Sequence, residues 1–434
     1  MSAHAEESVA TGQLEGFSAL AGGRAPGAGG VAAPDLRLLE LADQCVLCGL
    51  CLPHCPTYCM ERQEAESPRG RIALAKALTL GRIDASPAAL AHLDHCLACL
   101  SCQKVCPSGV RYDEIITRSR ADLRARRPRP DALQRLLRNP GRLVMLARLS
   151  AFLRAERWLP WLSRRLPLPE RWRALLADMP VVPLAGAPRP ATIRPLSTRG
   201  RVILFRGCVA SVYERDTHAA AQILLEALGY EVVVPPGSPC CGALARHAGE
   251  TEAADREARI TREALTAAGG DTVLVSASGC FGDLRDHVLN GATSAPEDIH
   301  AFLARDERFA GLRFRPLAMR AALHLPCTQV NVVGEVASIR ALLARIPGLT
   351  LLALPEQPRC CGAAGSYFIE QPEMANRLRA EKLDQVQAQE PELLLTTNIG
   401  CRIHLGNGLR HRAAAIPVRH PLALLAQQLE NASP

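Results

Sequence analysis

The stretch CVLCGLCLPHCPTYC, residues 45–59, carries five thiols in fifteen positions. Four of them, Cys45, Cys48, Cys51 and Cys55 with Pro56 behind it, follow the spacing C-x2-C-x2-C-x3-C-P. HCLACLSCQKVCP, residues 95–107, repeats it with Cys96, Cys99, Cys102 and Cys106 before Pro107. Two-residue gaps let one tight loop present three thiolates to three irons of a cubane [4Fe-4S] cluster, and in two-cluster ferredoxins the fourth cysteine of each run ligates the other cluster. The spacing therefore assigns Cys45, Cys48, Cys51 and Cys106 to one cluster and Cys96, Cys99, Cys102 and Cys55 to the other. A zinc site takes four ligands, usually as two separated pairs, and fits a doubled three-cysteine loop poorly. Cys59 falls outside the pattern and reads as a plain buried thiol. Arg69, Arg71 and Lys104 lie near the clusters in sequence, where a cation would raise a cluster's potential. SPRGRIALAKALTLG and SPAALAHLDHC, between the two runs, each open with a Ser-Pro helix start, so this region reads as helical. Both Cys-Pro prolines suit the first turn of a helix.

Around these loops lies a chain of 434 residues with 17 cysteines, 22% charged residues, 4% aromatics and a formal net charge of +8. That length accommodates two or three domains. An odd cysteine count excludes complete disulfide pairing. Residues 1–35, rich in Ala, Gly and Ser, show no cationic start followed by an apolar run and read as a disordered tail. No stretch of about 18 apolar residues predicts a membrane span. Thiols in a reducing compartment point to metal, and the chain is expected in the cytoplasm.

The eight remaining cysteines form a repeat. Cys208, Cys240, Cys241 and Cys280 are followed, 119 to 121 residues later, by Cys327, Cys360, Cys361 and Cys401. Gly242 and Gly362 follow the paired cysteines, where an unusual turn is needed. Each module contains three short apolar runs, RVILF, EVVV and TVLV or RAALH, LTLLA and ELLLT, separated by longer helical segments. This pattern predicts βαβ units with parallel strands, with the thiols beyond the strands' carboxyl ends. The fold class is thus α + α/β: a tail (1–35), a helical bis-[4Fe-4S] ferredoxin domain (36–125), a basic helical segment (126–178), a Pro-rich linker (179–199) and two α/β modules (200–315 and 316–434). Each module offers four thiolates, enough for a tetrahedral Zn²⁺ or for a cluster. His324 and His404, three residues from Cys327 and Cys401, are candidates for a further ligand or a supporting hydrogen bond.

Residues 118–173 hold sixteen Arg against four acids, and all three tryptophans, Trp158, Trp161 and Trp172. Arg with Trp and Leu at helical spacing suits an interface between apolar and anionic phases. The readings are a membrane-surface segment, a helix for a partner's groove, or a bridge with its tryptophans buried. Nucleic acid is not expected, because no binding motif accompanies the charge.

The doubled CxxCxxCxxxCP, the two Cys…CCG…GC modules, PSGVRYDEI and TTNIGCRIHL together resemble the iron–sulfur subunits of glycolate oxidase (glycolate dehydrogenase), within the wider group of cysteine-rich (CCG) Fe–S oxidoreductases. The resemblance covers residues 40–125 and 200–425. It implies an electron-transfer subunit of a 2-hydroxy-acid dehydrogenase that takes electrons from FAD on partner flavoprotein subunits and delivers them to quinone or another acceptor, peripheral on the inner face of the membrane. Related lactate or glycerol-3-phosphate dehydrogenase subunits, and a heterodisulfide-reductase-like thiol reductase, are the alternatives it implies. Asp283 and His404 stand where thiol-cleaving CCG modules carry a second cysteine, and Phe281 where the glycolate branch has glycine. No Gly-x-Gly-x-x-Gly fingerprint opens a βαβ unit, so hydride chemistry is expected on another chain.

Overall fold

The structure, a computed structural model, describes residues 34–126, 132–153, 155–178, 180, 199–292, 294–355 and 360–430. Of the expected tail and Pro-rich linker, all but residues 34, 35, 180 and 199 lie outside this set.

The first third is helical around the two thiol loops. Ser67 caps the helix Pro68–Thr79 by accepting from the Gly70 N–H at 2.9 Å, and Ser86 caps Pro87–Asp94 by accepting from Ala89 at 3.2 Å; proline takes the first helical position in both. These helices, with Leu36–Asp43 and Tyr112–Arg126, bury Leu38, Leu41, Ile72, Leu78, Leu93 and Ile115 against one another. Pro56 opens the helix Pro56–Glu61, as its position predicts. Pro107 does not open one. It sits in a turn, Gly109 at φ +63° redirects the chain, and the next helix begins only at Tyr112.

Each α/β module is a four-stranded parallel sheet. In the first, β1 (Arg201–Phe205), β2 (Glu231–Val233), β3 (Thr272–Val275) and β4 (Pro296–Asp298) take the order β2-β1-β3-β4. In the second, β5 (Met319–His324), β6 (Leu349–Ala353), β7 (Leu393–Thr396) and β8 (Val418–Arg419) take the order β6-β5-β7-β8. The three apolar runs of each module supply its first three strands. The fourth strands are two or three residues long and left no hydrophobic run to read.

The modules share one core. The last helix of the first, Ile299–Arg305, packs on Ala337–Leu343 of the second, and the last helix of the second, Pro421–Gln428, packs on Arg215–Ala227 of the first. Leu224, Leu225, Ile299, Leu303, Ile339, Leu343, Leu422 and Leu425 are all buried there. Each fully buried Leu or Ile is worth about 1.5–3 kcal/mol, so the repeat folds as an interlocked pair.

The basic segment forms the helices Ala132–Leu137, Pro140–Phe152, Ala155–Arg165 and Glu170–Ala177. Leu143 and Ala147 pack on Val212 of the first module. Met145, Leu149 and Phe152 form a second stripe on the same helix that faces solvent; Phe152 is 82% exposed. Trp158, Trp161 and Trp172 are also exposed, which goes against the one reading of a bridge with its tryptophans buried. Part of the arginine is structural. Arg138 meets Glu250 at 2.9 Å and Glu257 at 3.3 Å, while Arg120 donates to the carbonyls of Leu93 and His247 at 3.0 and 3.1 Å. Among the described residues no helix is long and apolar enough to cross a membrane.

Candidate metal centres

The two ferredoxin loops share one backbone design. Leu47 and Gly49 have φ of +57° and +82°, and Ala98 and Leu100, 51 residues later, have +48° and +58°. These left-handed residues curl each loop so that three thiols face one point. At Gly49 space matters as well as φ, since a Cβ there would lie 2.8 Å from Arg69 Nη1. Arg69 in turn donates to the Leu47 carbonyl at 2.9 Å and bridges to Glu64 at 2.7 Å.

Two adjacent cavities result. Cys45, Cys48, Cys51 and Cys106 line the first, with Ile72, Val110 and Tyr112 behind them. Cys55, Cys96, Cys99 and Cys102 line the second, with Arg71 and Tyr112. Cys102 touches both, so the cavities are neighbours. The fourth cysteine of each run thus lines the cavity of the other run's loop. Their settings differ. Cys48 is exposed, and Val46, Leu47 and Leu50 stand exposed around it. All four thiols of the second cavity are buried.

The residues fit cubane clusters. Burial pushes the Cys51 thiol up, and burial with neighbouring thiols pushes Cys99 and Cys102 further up. Ionisation at these positions therefore accompanies metal binding. Donors already face the sulfurs of the second cavity: Arg71 Nη1 lies 3.7 Å from Cys55 Sγ and Tyr112 Oη 3.5 Å from Cys96 Sγ, while Thr57 Oγ1, 3.4 Å from Cys55 Sγ, donates to the Glu66 carbonyl at 3.2 Å. Such contacts would stabilise the more negative, reduced form of a cluster held there and raise its potential.

Sequence reading missed the network behind this cavity. Glu66, buried, pairs with Arg71 through Oε2 and accepts from His92 Nδ1 at 2.6 Å and His95 Nδ1 at 2.9 Å through Oε1. Burial alone would raise its carboxyl, but the His95 and His92 hydrogen bonds and the Arg71 charge outweigh that and hold it below the usual range. Glu66, Arg71 and the histidines come from separate elements, so no local motif announced them. Of the other nearby cations, Lys104 donates to the Val330 carbonyl at 2.8 Å and joins the ferredoxin part to the second module. Cys59 is half-buried and points to the Pro53 carbonyl at 3.4 Å, away from both cavities.

The cysteine-rich modules gather their thiols beyond the strand ends. In the first, Cys208 Sγ lies 3.5 Å from Cys240 Sγ, and Cys241 contacts both Cys240 and Cys280. In the second, Cys361 Sγ lies 3.0 Å from Cys401 Sγ, and Cys360 contacts both Cys327 and Cys361. The glycine after each pair is required twice over. Gly242 and Gly362 have φ of +93° and +86°, and a Cβ would meet the Ala254 carbonyl at 2.9 Å or the Ala375 carbonyl at 2.5 Å. His324 joins Cys361 and Cys401, their ligand atoms all within 4.8 Å. His404 does not: its Nε2 faces the Ala375 carbonyl at 3.2 Å, and burial lowers it to about 3. Asp283, at the matching place, accepts from Arg246 Nε at 2.9 Å.

The second ferredoxin cavity abuts the second module. Cys99, Cys327 and Cys360 share one buried cluster with Leu97, Tyr367 and Met374. Asn331 Nδ2 donates to the Cys99 carbonyl at 2.8 Å, and Tyr367 Oη to the His95 carbonyl at 3.1 Å. From the surface inward, the thiol groups run from the exposed cavity to the buried one to the second module.

Comparison with known proteins agrees with this layout. The 4Fe-4S dicluster domain family matches residues 41–110, and the family described as Cysteine-rich domain matches 202–285 and 321–406. The glycolate oxidase iron-sulfur subunit of Escherichia coli (strain K12) is 33% identical over 415 residues, covering 92% of this chain and 97% of that one. A probable glycolate oxidase iron-sulfur subunit of Bacillus subtilis (strain 168) is 32% identical over 86% of this chain and 90% of its own length. One of the subunits of a fumarate reductase (CoM/CoB) of Methanothermobacter marburgensis is 29% identical over 48% of this chain and 42% of its own length.

Proposed function

The chain belongs to the family of glycolate oxidase iron–sulfur subunits, and from that premise we propose that it is the electron-transfer subunit of a flavin-dependent glycolate dehydrogenase, carrying electrons from FAD on a partner flavoprotein to quinone. Two [4Fe-4S] clusters, when bound, supply one-electron transfer. Cys45, Cys48, Cys51 and Cys106 would hold one, and Cys55, Cys96, Cys99 and Cys102 the other. The observation that carries the reading is the adjacency of an exposed and a buried four-thiol cavity, the arrangement a relay needs.

The chain's own residues set the direction. Val46, Leu47 and Leu50 give the first cavity an apolar rim on which a flavoprotein can close and exclude water. Arg71 and Tyr112 aim their donors at the second cavity and would raise the potential of a cluster held there, favouring electron flow inward. Next to Cys96 lies a further cavity of about 400 Å³, lined by Leu97, Tyr367, Leu133, Trp172 and Leu175. Its leucines and rings, which share the walls with Arg120, Arg124, Gln134 and Glu370, and the exposed Met145, Leu149, Phe152 and Trp161 beside basic residues suit a quinone reached from an anionic membrane surface on the cytoplasmic side.

The test is electron delivery. The anaerobically purified chain is mixed with its co-purifying flavoprotein and glycolate, and the cluster EPR signals are followed. Signals that grow only with glycolate and flavoprotein together support the reading. Reduction by dithionite but not by the complete mixture counts against it.

A further inference from the structure

The two cysteine-rich modules superpose in sequence thiol for thiol, yet their sites differ in one wall. His324 is the last residue of β5, three before Cys327; Phe205 is the last residue of β1, three before Cys208. Side chains on a strand alternate. Leu323 lies in the core between the modules, and Ala322 lies on the opposite face with Cys361 and Cys401. His324 follows Ala322 to that face. Phe205 likewise packs with Cys241 and Cys280. The first module thus sets an inert ring against its thiols where the second sets an imidazole.

That imidazole is unsatisfied. His324 is 2% exposed, and its Nε2 has no hydrogen-bond partner. A buried polar nitrogen left unpaired forfeits its hydration with nothing in return, and a nitrogen of this ring sits within 4.8 Å of the Cys361 and Cys401 thiols. Lys382, also buried, faces Cys361, Cys360 and Cys401 and supplies positive charge beside a site rich in thiolate.

We propose that His324 Nε2 is a metal ligand and that the second module holds a single tetrahedral divalent cation of the zinc class on His324, Cys360, Cys361 and Cys401, while the first module has only thiols to offer. This rests on the reading that the cysteine-rich modules bind metal, and it is independent of the electron-transfer role. A closed tetrahedral site here is a brace: it pins β5, the CCG turn and the helix Ile399–His411 together beside the second ferredoxin cavity.

The test uses the full chain, purified without oxygen, as wild type, as His324→Phe (the first module's arrangement) and as His324→Cys. The readouts are zinc and iron content and zinc-edge X-ray absorption. The proposal expects about one zinc per wild-type chain with a shell of one nitrogen and three sulfurs, zinc held at least ~10-fold more weakly in His324→Phe, and zinc retained in His324→Cys with an all-sulfur shell. His324→Cys keeps the test sound should His324→Phe fold poorly. A wild-type shell without nitrogen, zinc retention unchanged in a folded His324→Phe chain, or iron with sulfide in place of zinc at this site overturns the proposal and leaves metal binding by the modules standing. A chain with no metal beyond the ferredoxin irons overturns both.

Discussion

The two ferredoxin cavities are built from the same loop and put to different use. Their cysteine spacings match, and their left-handed residues fall at the same places. Yet one cavity opens to solvent through Cys48 and the other is sealed against the second module. Near the first, the arginine is Arg69, paired with the exposed Glu64; beside the second it is Arg71, buried and paired with Glu66. Loop chemistry sets which cluster can form. The surroundings set its potential and who can reach it.

The sharpest way to break this comparison is to remove one thiol from each cavity. Cys48→Ala and Cys99→Ala should each lower bound iron from about eight to about four per chain. Only Cys99→Ala should also loosen the ferredoxin part from the second module, because Cys99 packs with Cys327 and Cys360. Iron analysis with limited proteolysis checks this; equal proteolytic sensitivity of the two variants would erase the distinction between the cavities.

Next come the two arginines. Arg71→Met strands the buried Glu66 carboxylate and should cost about 3–5 kcal/mol, with a fall in the second cluster's potential. Arg69→Met breaks an exposed pair and should cost no more than about 1 kcal/mol. Anaerobic denaturant titration and a redox titration followed by EPR measure both.

Glu66 gives the pH counterpart. Its folded carboxyl is held below the usual range, so its stabilisation is present above the unfolded value of about 4.3 and is lost as pH falls through the lower folded value. The penalty of Glu66→Gln, about 1–3 kcal/mol, should be constant between pH 8 and pH 5. A penalty that already shrinks above pH 5 would contradict a carboxyl held below the usual range.

The smallest effect is Gly49→Ala. The left-handed backbone and the approach of Arg69 cost about 1 kcal/mol, since the flexible guanidinium can withdraw. Thermal melts should place it well short of Gly362→Ala, whose Cβ meets fixed backbone.

What the sequence made legible was short-range. Cluster spacing, Ser-Pro caps and the strand ending before each thiol are local patterns, and the fold follows them. The 120-residue repeat was readable too, because ligands fix register. What escaped was set by distant partners: the reciprocal packing of Ile299–Arg305 and Pro421–Gln428, the two-residue β8, and the Glu66 network. His324 and His404 looked equivalent, each three residues from a cysteine. The strand end aims His324 at the thiols, while the helix turns His404 toward Ala375 and Arg379. Exposure of Met145, Leu149 and Phe152 was equally hidden, since an amphipathic helix with two apolar stripes does not announce which one is buried.

The most direct test of the central claim is quantitative iron and acid-labile sulfide analysis of the anaerobically purified chain, with EPR after dithionite reduction. Two neighbouring cubanes predict about eight irons and eight sulfides from the ferredoxin part and a signal broadened by coupling between two reduced clusters. A colourless chain without labile sulfide, or a single uncoupled cluster signal in the fully loaded wild type, would contradict it.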